Sequence, residues 1–309
     1  MYPMSAIYAL AGRSRQGHQQ QCRTQIQTAT ARRWVCDQVL ALRLKHPVMG
    51  LRKCYMQLLR RSQAVGTTLP VGRDIFIQYA TSAGLCVVLP RNYTRTTFST
   101  KSHRYYNLLV DYVLTDINQL WVSDITYVRL SDRYYYLTMV MDVYSRRILG
   151  YKLAASLHAD SCLDALKMAL KQRPITDYQH RLVHHSDKGT QYVFNPYTAL
   201  LEQYNISISM CNSPYENSHM ERLNGTIKNE YIIPLQFDTF EALNHALPSL
   251  MNRYNTQRLH QELGYQTPKQ WEINLLNIPM LQRPKLPIFV EQRTKIFQQQ
   301  YPLQLSLFS

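Results

Sequence analysis

The chain has 309 residues, is 45% hydrophobic and carries a formal charge of +15, so it can bury one large core or two smaller ones and is too apolar for a disordered tail. The charge is uneven: residues 1–100 carry 14 Lys and Arg against only Asp37 and Asp74, while the remaining 209 carry 21 against 18, a polyanion-binding arm beside a near-neutral body. Six scattered cysteines without a Cys-x-x-Cys pair argue against a disulfide scaffold or zinc site, and no run approaches the ~18 apolar residues of a membrane span.

Residues 1–34 are rich in Arg and Gln and weakly patterned, which predicts a poorly ordered basic segment with partial helix. From Val35 the apolar positions Val39 and Leu42, then Leu51, Tyr55, Leu58 and Leu59, recur at helical spacing, broken by Pro47 and Gly50. A second break at Gly66–Gly72 precedes a third helix over 73–83. Three short helices bearing Arg52, Lys53, Arg60 and Arg61 fit a helix-turn-helix-like DNA-binding domain over 35–100. Other small helical domains have the same pattern. The Thr-, Ser- and Arg-rich stretch Pro90–His103 reads as its linker.

The body spans 116–272. Strands are predicted at 120–128, 133–143 and 147–153, joined by tight turns as an antiparallel meander. A helix over 159–171, a strand over 181–185, a helix over 196–204, a strand over 206–210 and a helix over 216–232 follow. Three antiparallel strands and then alternating helices and strands give an α/β fold, a mixed five-stranded sheet with helices on both faces. Residues 273–309, with Pro279, Pro284, Pro287 and Pro302, read as a loosely held C-terminal tail.

Three acids stand out in this body. Asp124 lies within Trp121-Val-Ser-Asp-Ile-Thr-Tyr127, where an ionised carboxylate is costly without a partner. Asp187 follows His184-His-Ser and precedes Lys188-Gly189, good turn chemistry. His184 and His185 are adjacent in a strand and point to opposite faces, so they cannot chelate one ion together. The third acid, Glu221, sits on the predicted helix, where Lys228, Asn217 and Gly225 share its face at about 100° per residue. Met220, Leu223, Ile227 and Tyr231 form a neighbouring apolar stripe. Glu230 and Glu216 fall about 180° and 140° away and are expected to be solvated. Hard divalent ions take oxygen ligands, and two of them can clamp the attacking and leaving oxygens of a phosphodiester. Asp124, Asp187 and Glu221 therefore read as the metal-binding acids of a polynucleotidyl transferase.

The strings Trp121-Val-Ser-Asp-Ile-Thr-Tyr, Met141-Asp-Val-Tyr-Ser-Arg, His185-Ser-Asp-Lys-Gly-Thr-Gln-Tyr, Glu216-Asn-Ser-His-Met-Glu-Arg-Leu-Asn-Gly and Tyr254-Asn-x-x-Arg-x-His occur in this order. Together they resemble the integrase catalytic core of IS3-family insertion-sequence transposases, in their downstream reading frame. The resemblance covers roughly residues 35–272. It implies a ribonuclease-H-like fold, a DDE triad at Asp124, Asp187 and Glu221, two Mg²⁺ (or Mn²⁺) ions, and contact of Lys228, with Asn217 beside it, to a DNA end. It also implies nicking at an element end and attack by the freed 3′-hydroxyl near the other end, giving a circular intermediate that integrates elsewhere. Double-stranded DNA is the implied partner, with a homo-oligomer on DNA to hold two ends and fusion to, or association with, an upstream-frame protein. The implied location is the bacterial cytoplasm, at the nucleoid.

The 33 residues between Asp187 and Glu221 are fewer than the family's usual spacing. A catalytically impaired transposase fragment acting as a DNA-binding regulator is therefore the competing reading. A Mg²⁺-dependent nuclease of the same fold is a third, which leaves the Tyr254–His260 string unexplained.

Overall fold

The computed structural model describes residues 14–87, 105–131, 133–211 and 214–288, with Tyr8, Leu10 and Gly12. The chain divides into two compact units, 1–91 and 92–309. The predicted linker and the end of the tail, 289–309, lie outside the described residues.

The first unit holds α1 (Arg15–Arg43), α2 (Leu51–Ala64) and α3 (Arg73–Ser82). Of the segment expected to be poorly ordered with partial helix, residues 15–34 are all helical, as the first part of α1. Its Gln, Arg and Ala are good helix formers, and the Ser14 hydroxyl caps it by accepting from Gly17 N at 3.0 Å. Periodicity missed it because only Val35, Val39 and Leu42, near its end, are buried. These pack with Met49, Cys54, Leu58, Phe76 and Ala80. On α2 the buried stripe is Cys54, Leu58 and Ser62, while Arg52 and Arg61 are exposed and Lys53 and Arg60 partly so.

The second unit is built on β2 (Leu120–Leu130), β3 (Arg133–Asp142), β4 (Ile148–Ala154), β5 (Val183–Ser186) and β6 (Ser207–Met210), after a short β1 (Val113–Leu114). The sheet order is β4-β3-β2-β5-β6, antiparallel across β4-β3-β2 and parallel across β2-β5-β6. That is the mixed sheet expected. Alternation along β2 sends Trp121 and Ile125 to one face, against α4 (Ala159–Lys171) and α5 (Asn195–Gln203). Leu120, Val122, Val128 and Leu130 go to the other face. There they meet α6 (Ser218–Ile227), α7 (Phe240–Gln257) and α8 (Pro268–Leu275).

The expected tail is only in part a tail. α8 crosses the predicted boundary at 272, and β7 (Leu286–Pro287) pairs antiparallel with β1. Arg283 forms an ion pair with Asp116, the Tyr144 hydroxyl donates to Pro284 O at 2.8 Å, and Ile278, Leu286 and Ile288 pack on the core. The prolines permit this docking because β1 and β7 form a separate two-stranded pair, where a missing N–H is tolerated.

Candidate active site

Strand register assembles the first two acids. In the parallel β2–β5 ladder Val122 pairs with His185, so two residues further along both chains Asp124 comes beside Asp187. Period-2 alternation along β2 turns Asp124 to the face where α6 packs, and the Asp187 charge lies close enough to act on it. Burial and then the neighbouring Asp187 charge push the Asp124 carboxyl up to about 7, and burial raises Asp187 as well. Each has a fixed donor. Asn224 Nδ2 donates to Asp124 Oδ2 at 2.7 Å and Gly189 N to Asp187 Oδ1 at 3.0 Å. A Cβ at Gly189 would lie 2.8 Å from Gln191 Oε1 and 2.9 Å from that same Oδ1, so any side chain there would push on the Asp187 carboxylate.

The third acid lies on α6, whose polar arc faces β2. Asn217 donates from Nδ2 to Ser123 O at 3.3 Å and Asn224 reaches Asp124. At about 100° per residue Glu221 falls some 40° from the first and 60° from the second, on their solvent side. Its side chain is exposed. Among the described residues no three or more His, Cys, Asp and Glu side chains are drawn together as an ion-binding group. The structure therefore joins Asp124 with Asp187, while Glu221 is exposed on α6 and is not drawn together with them.

Two residues expected at the DNA are held within the site itself. Asn217 is only 8% exposed and its amide is spent on the β2 backbone. Lys228 is partly buried; burial lowers its ammonium pKa while the Asp124 charge raises it, so it balances the acids from within. The reason is that α6 turns its Asn217–Asn224 seam inward, where the sequence suggested an exposed one.

The supposed decoys are anchors. Glu216 accepts from Asn107 Nδ2 at 2.7 Å. Glu230 accepts from Arg258 Nε at 2.8 Å and Nη2 at 2.6 Å, with side-chain exposures of 11% for Arg258 and 24% for Glu230. Regular helical phasing fails here because Lys228–Ile232 is a π-helical turn, which inserts a residue into the repeat. Glu230→Gln is thus expected to lower unfolding free energy by about 2 kcal/mol, less than the 3–5 of a fully buried broken pair. An unchanged denaturant midpoint would show the pair to be idle.

The Tyr254–His260 string also finds its place. Asn255 accepts from Ile148 N at 3.0 Å and donates to Ile148 O at 2.9 Å, holding the edge of β4. Arg258 stacks over Tyr254 and fixes the π turn after α6. Sequence reasoning missed Asn224, although its seven-residue spacing from Asn217 is the signal that places both on one seam.

Two neighbouring carboxylates, one on β2 and one just past β5, both raised by burial and Asp124 further raised by the Asp187 charge, suit a divalent cation with oxygen ligands, and Glu221 has the chemistry to complete the set. Residues 115–215 match the integrase core domain family, and residues 202–268 match a second family also described as an integrase core domain. The transposase for insertion sequence element IS629 of Shigella sonnei is 31% identical over 230 residues, 74% of this chain and 74% of that protein. The transposase InsF for insertion sequence IS3A of Escherichia coli K12 is 31% identical over 187 residues, covering 57% and 63%. Among solved structures, the HTLV-2 integrase catalytic core in complex with magnesium is similar, with TM-score 0.40 and 18% identity over 50% of this chain and 97% of that one.

Proposed function

We propose, from the premise that this chain belongs to the IS3-family DDE transposases, a specific division of labour within its DNA cleavage and strand-transfer activity. Asp124 and Asp187 hold divalent metal, with Glu221 completing the ligand set. The observation that supports this most directly is the β2–β5 register, which pairs two partly buried acids. Mg²⁺ or Mn²⁺ bound there supplies Lewis-acid stabilisation of the phosphodiester oxygens. Asn224 orients Asp124, the Gly189 N–H orients Asp187, and Lys228 offsets their charge.

The basic arc of α2, with Arg52, Lys53, Arg60 and Arg61, supplies sequence-independent phosphate contacts. Holding two element ends calls for an oligomer on DNA, joined or fused to an upstream-frame protein. No helix among the described residues is long and apolar enough to cross a membrane.

The test is Glu221→Gln in the full chain, on an oligonucleotide carrying an element end with Mg²⁺. Strand transfer should drop by at least about 10²-fold, since the lost ligand removes a term worth several kcal/mol, while DNA affinity holds or rises as repulsion from phosphate falls. Wild-type activity in the Gln variant would remove Glu221 from the set. A folded wild-type chain that binds DNA ends without metal-dependent cleavage would instead favour the regulator.

A further inference from the structure

Helix α6 is gripped on its far side by two side chains, Arg146 and Glu262, that hold its own His219 and Arg222 and take no part in the site described above. Arg146 donates from Nη1 to His219 Nδ1 at 2.5 Å and from Nη2 to Glu262 Oε2 at 2.7 Å. The other oxygen of Glu262 accepts from Arg222 Nη1 at 2.6 Å. His219 and Arg222 lie about 60° apart on α6, and Glu221 lies about 100° beyond Arg222, toward the Asn217–Asn224 seam. The helix is thus tied on both sides of the acid.

The base of the clamp is rigid. Arg146 is 8% exposed and has φ 60°, left-handed backbone that a non-glycine residue adopts only where surroundings enforce it. The preceding turn is closed on buried Asp142, which accepts from Ser145 N at 2.9 Å, Ser145 Oγ at 3.1 Å and Asn118 N at 2.7 Å. Glu262 stands on a short turn whose Leu263 is buried and whose ends are joined by the His260–Gln266 bridge.

We infer that the Arg146–Glu262 clamp, acting on His219 and Arg222, sets the roll of α6 and so positions Glu221 for metal. This rests on the reading of Glu221 as a ligand. It follows that the acid is positioned from the body of the fold, so a short Asp187–Glu221 spacer does not by itself displace it. Arg146, His219, Arg222 and Glu262 are positioning residues. The two limbs need a planar fork with two donors, which lysine cannot replace.

The experiment titrates Mn²⁺ into the full-length protein without DNA, following bound ion by electron paramagnetic resonance. Arg146→Lys, Arg222→Ala and Glu221→Gln are compared with wild type, and thermal melting and DNA affinity are measured in parallel. Arg146→Lys should weaken Mn²⁺ binding by about tenfold, the usual effect of losing an orienting partner, and Arg222→Ala should shift it in the same direction, with DNA affinity unchanged. The Arg222 side chain is 73% exposed, so its removal keeps the fold even if Arg146→Lys does not. Wild-type Mn²⁺ binding by folded Arg222→Ala, alone or with Arg146→Lys, overturns the clamp, provided Glu221→Gln has lost it. Wild-type binding by Glu221→Gln instead overturns the ligand assignment itself.

Discussion

Asp124→Asn should reduce strand cleavage and transfer by about 10³-fold or more, because a metal-held transition state is worth several kcal/mol and each 1.4 kcal/mol is roughly tenfold. The amide keeps the size of the carboxylate and can still accept from Asn224, so the loss reports charge. The same variant should gain heat stability when metal is absent. Burial and the neighbouring Asp187 raise the folded carboxyl to about 7, against an ordinary value of 3.8. The folded state therefore favours the protonated acid, and stability is lost as pH rises through the folded value. Asn never ionises. Its melting temperature in chelator should exceed that of wild type at pH 8, and the gap should close as pH falls toward 4. Equal melting at pH 8 would mean that Asp124 is not in the pinched, partly buried position described, and retained turnover would remove it from the catalytic set.

Gly150→Ala is the second large effect, on stability. Gly150 lies on β4 just past the bulge that shifts the β3–β4 register, and α4 crosses directly over it. A Cβ there would sit 1.9 Å from Ala165 O and 3.0 Å from Ala169 N, both helix backbone. No side-chain rotation can relieve that contact, so α4 must lift from the sheet and open the cluster around Trp121, Leu149 and Leu166. The expected cost is about 3 kcal/mol, the upper end of ordinary overpacking, or roughly 10 °C in melting temperature. Gly225→Ala is the matched control, since nothing lies within 4 Å of its Cβ and Ala favours helix over Gly by about 0.8–1.0 kcal/mol. A Gly150→Ala protein melting with wild type would show that α4 does not rest on β4 so closely.

The local rules of the chain were legible before any coordinates. The apolar β-type runs at 120–128 and 133–143, and the 3.6-residue repeat in Ala159–Lys171, are each signals carried within one element. The same local reading found the basic residues of α2. It failed for α1, whose exposed first half has helix-forming composition but no apolar stripe, and for Lys228–Ile232, where the π turn breaks the regular phase.

By itself, then, the sequence determined the order and type of the elements from β2 to α6, the uneven charge, and the three acids with the strings around them. Only the tertiary structure decided which side chains those acids meet. The β2–β5 register set Asp124 beside Asp187, and the roll of α6 gave Asn224 to Asp124 and left Glu221 exposed. Arg258 went to Glu230, and Arg146 to both His219 and Glu262. These partners are 28 to 116 residues apart in the chain. Periodicity says which way a side chain faces along its own element, whereas a partner on another element depends on register, helix roll and turn geometry, which exist only once the elements have packed.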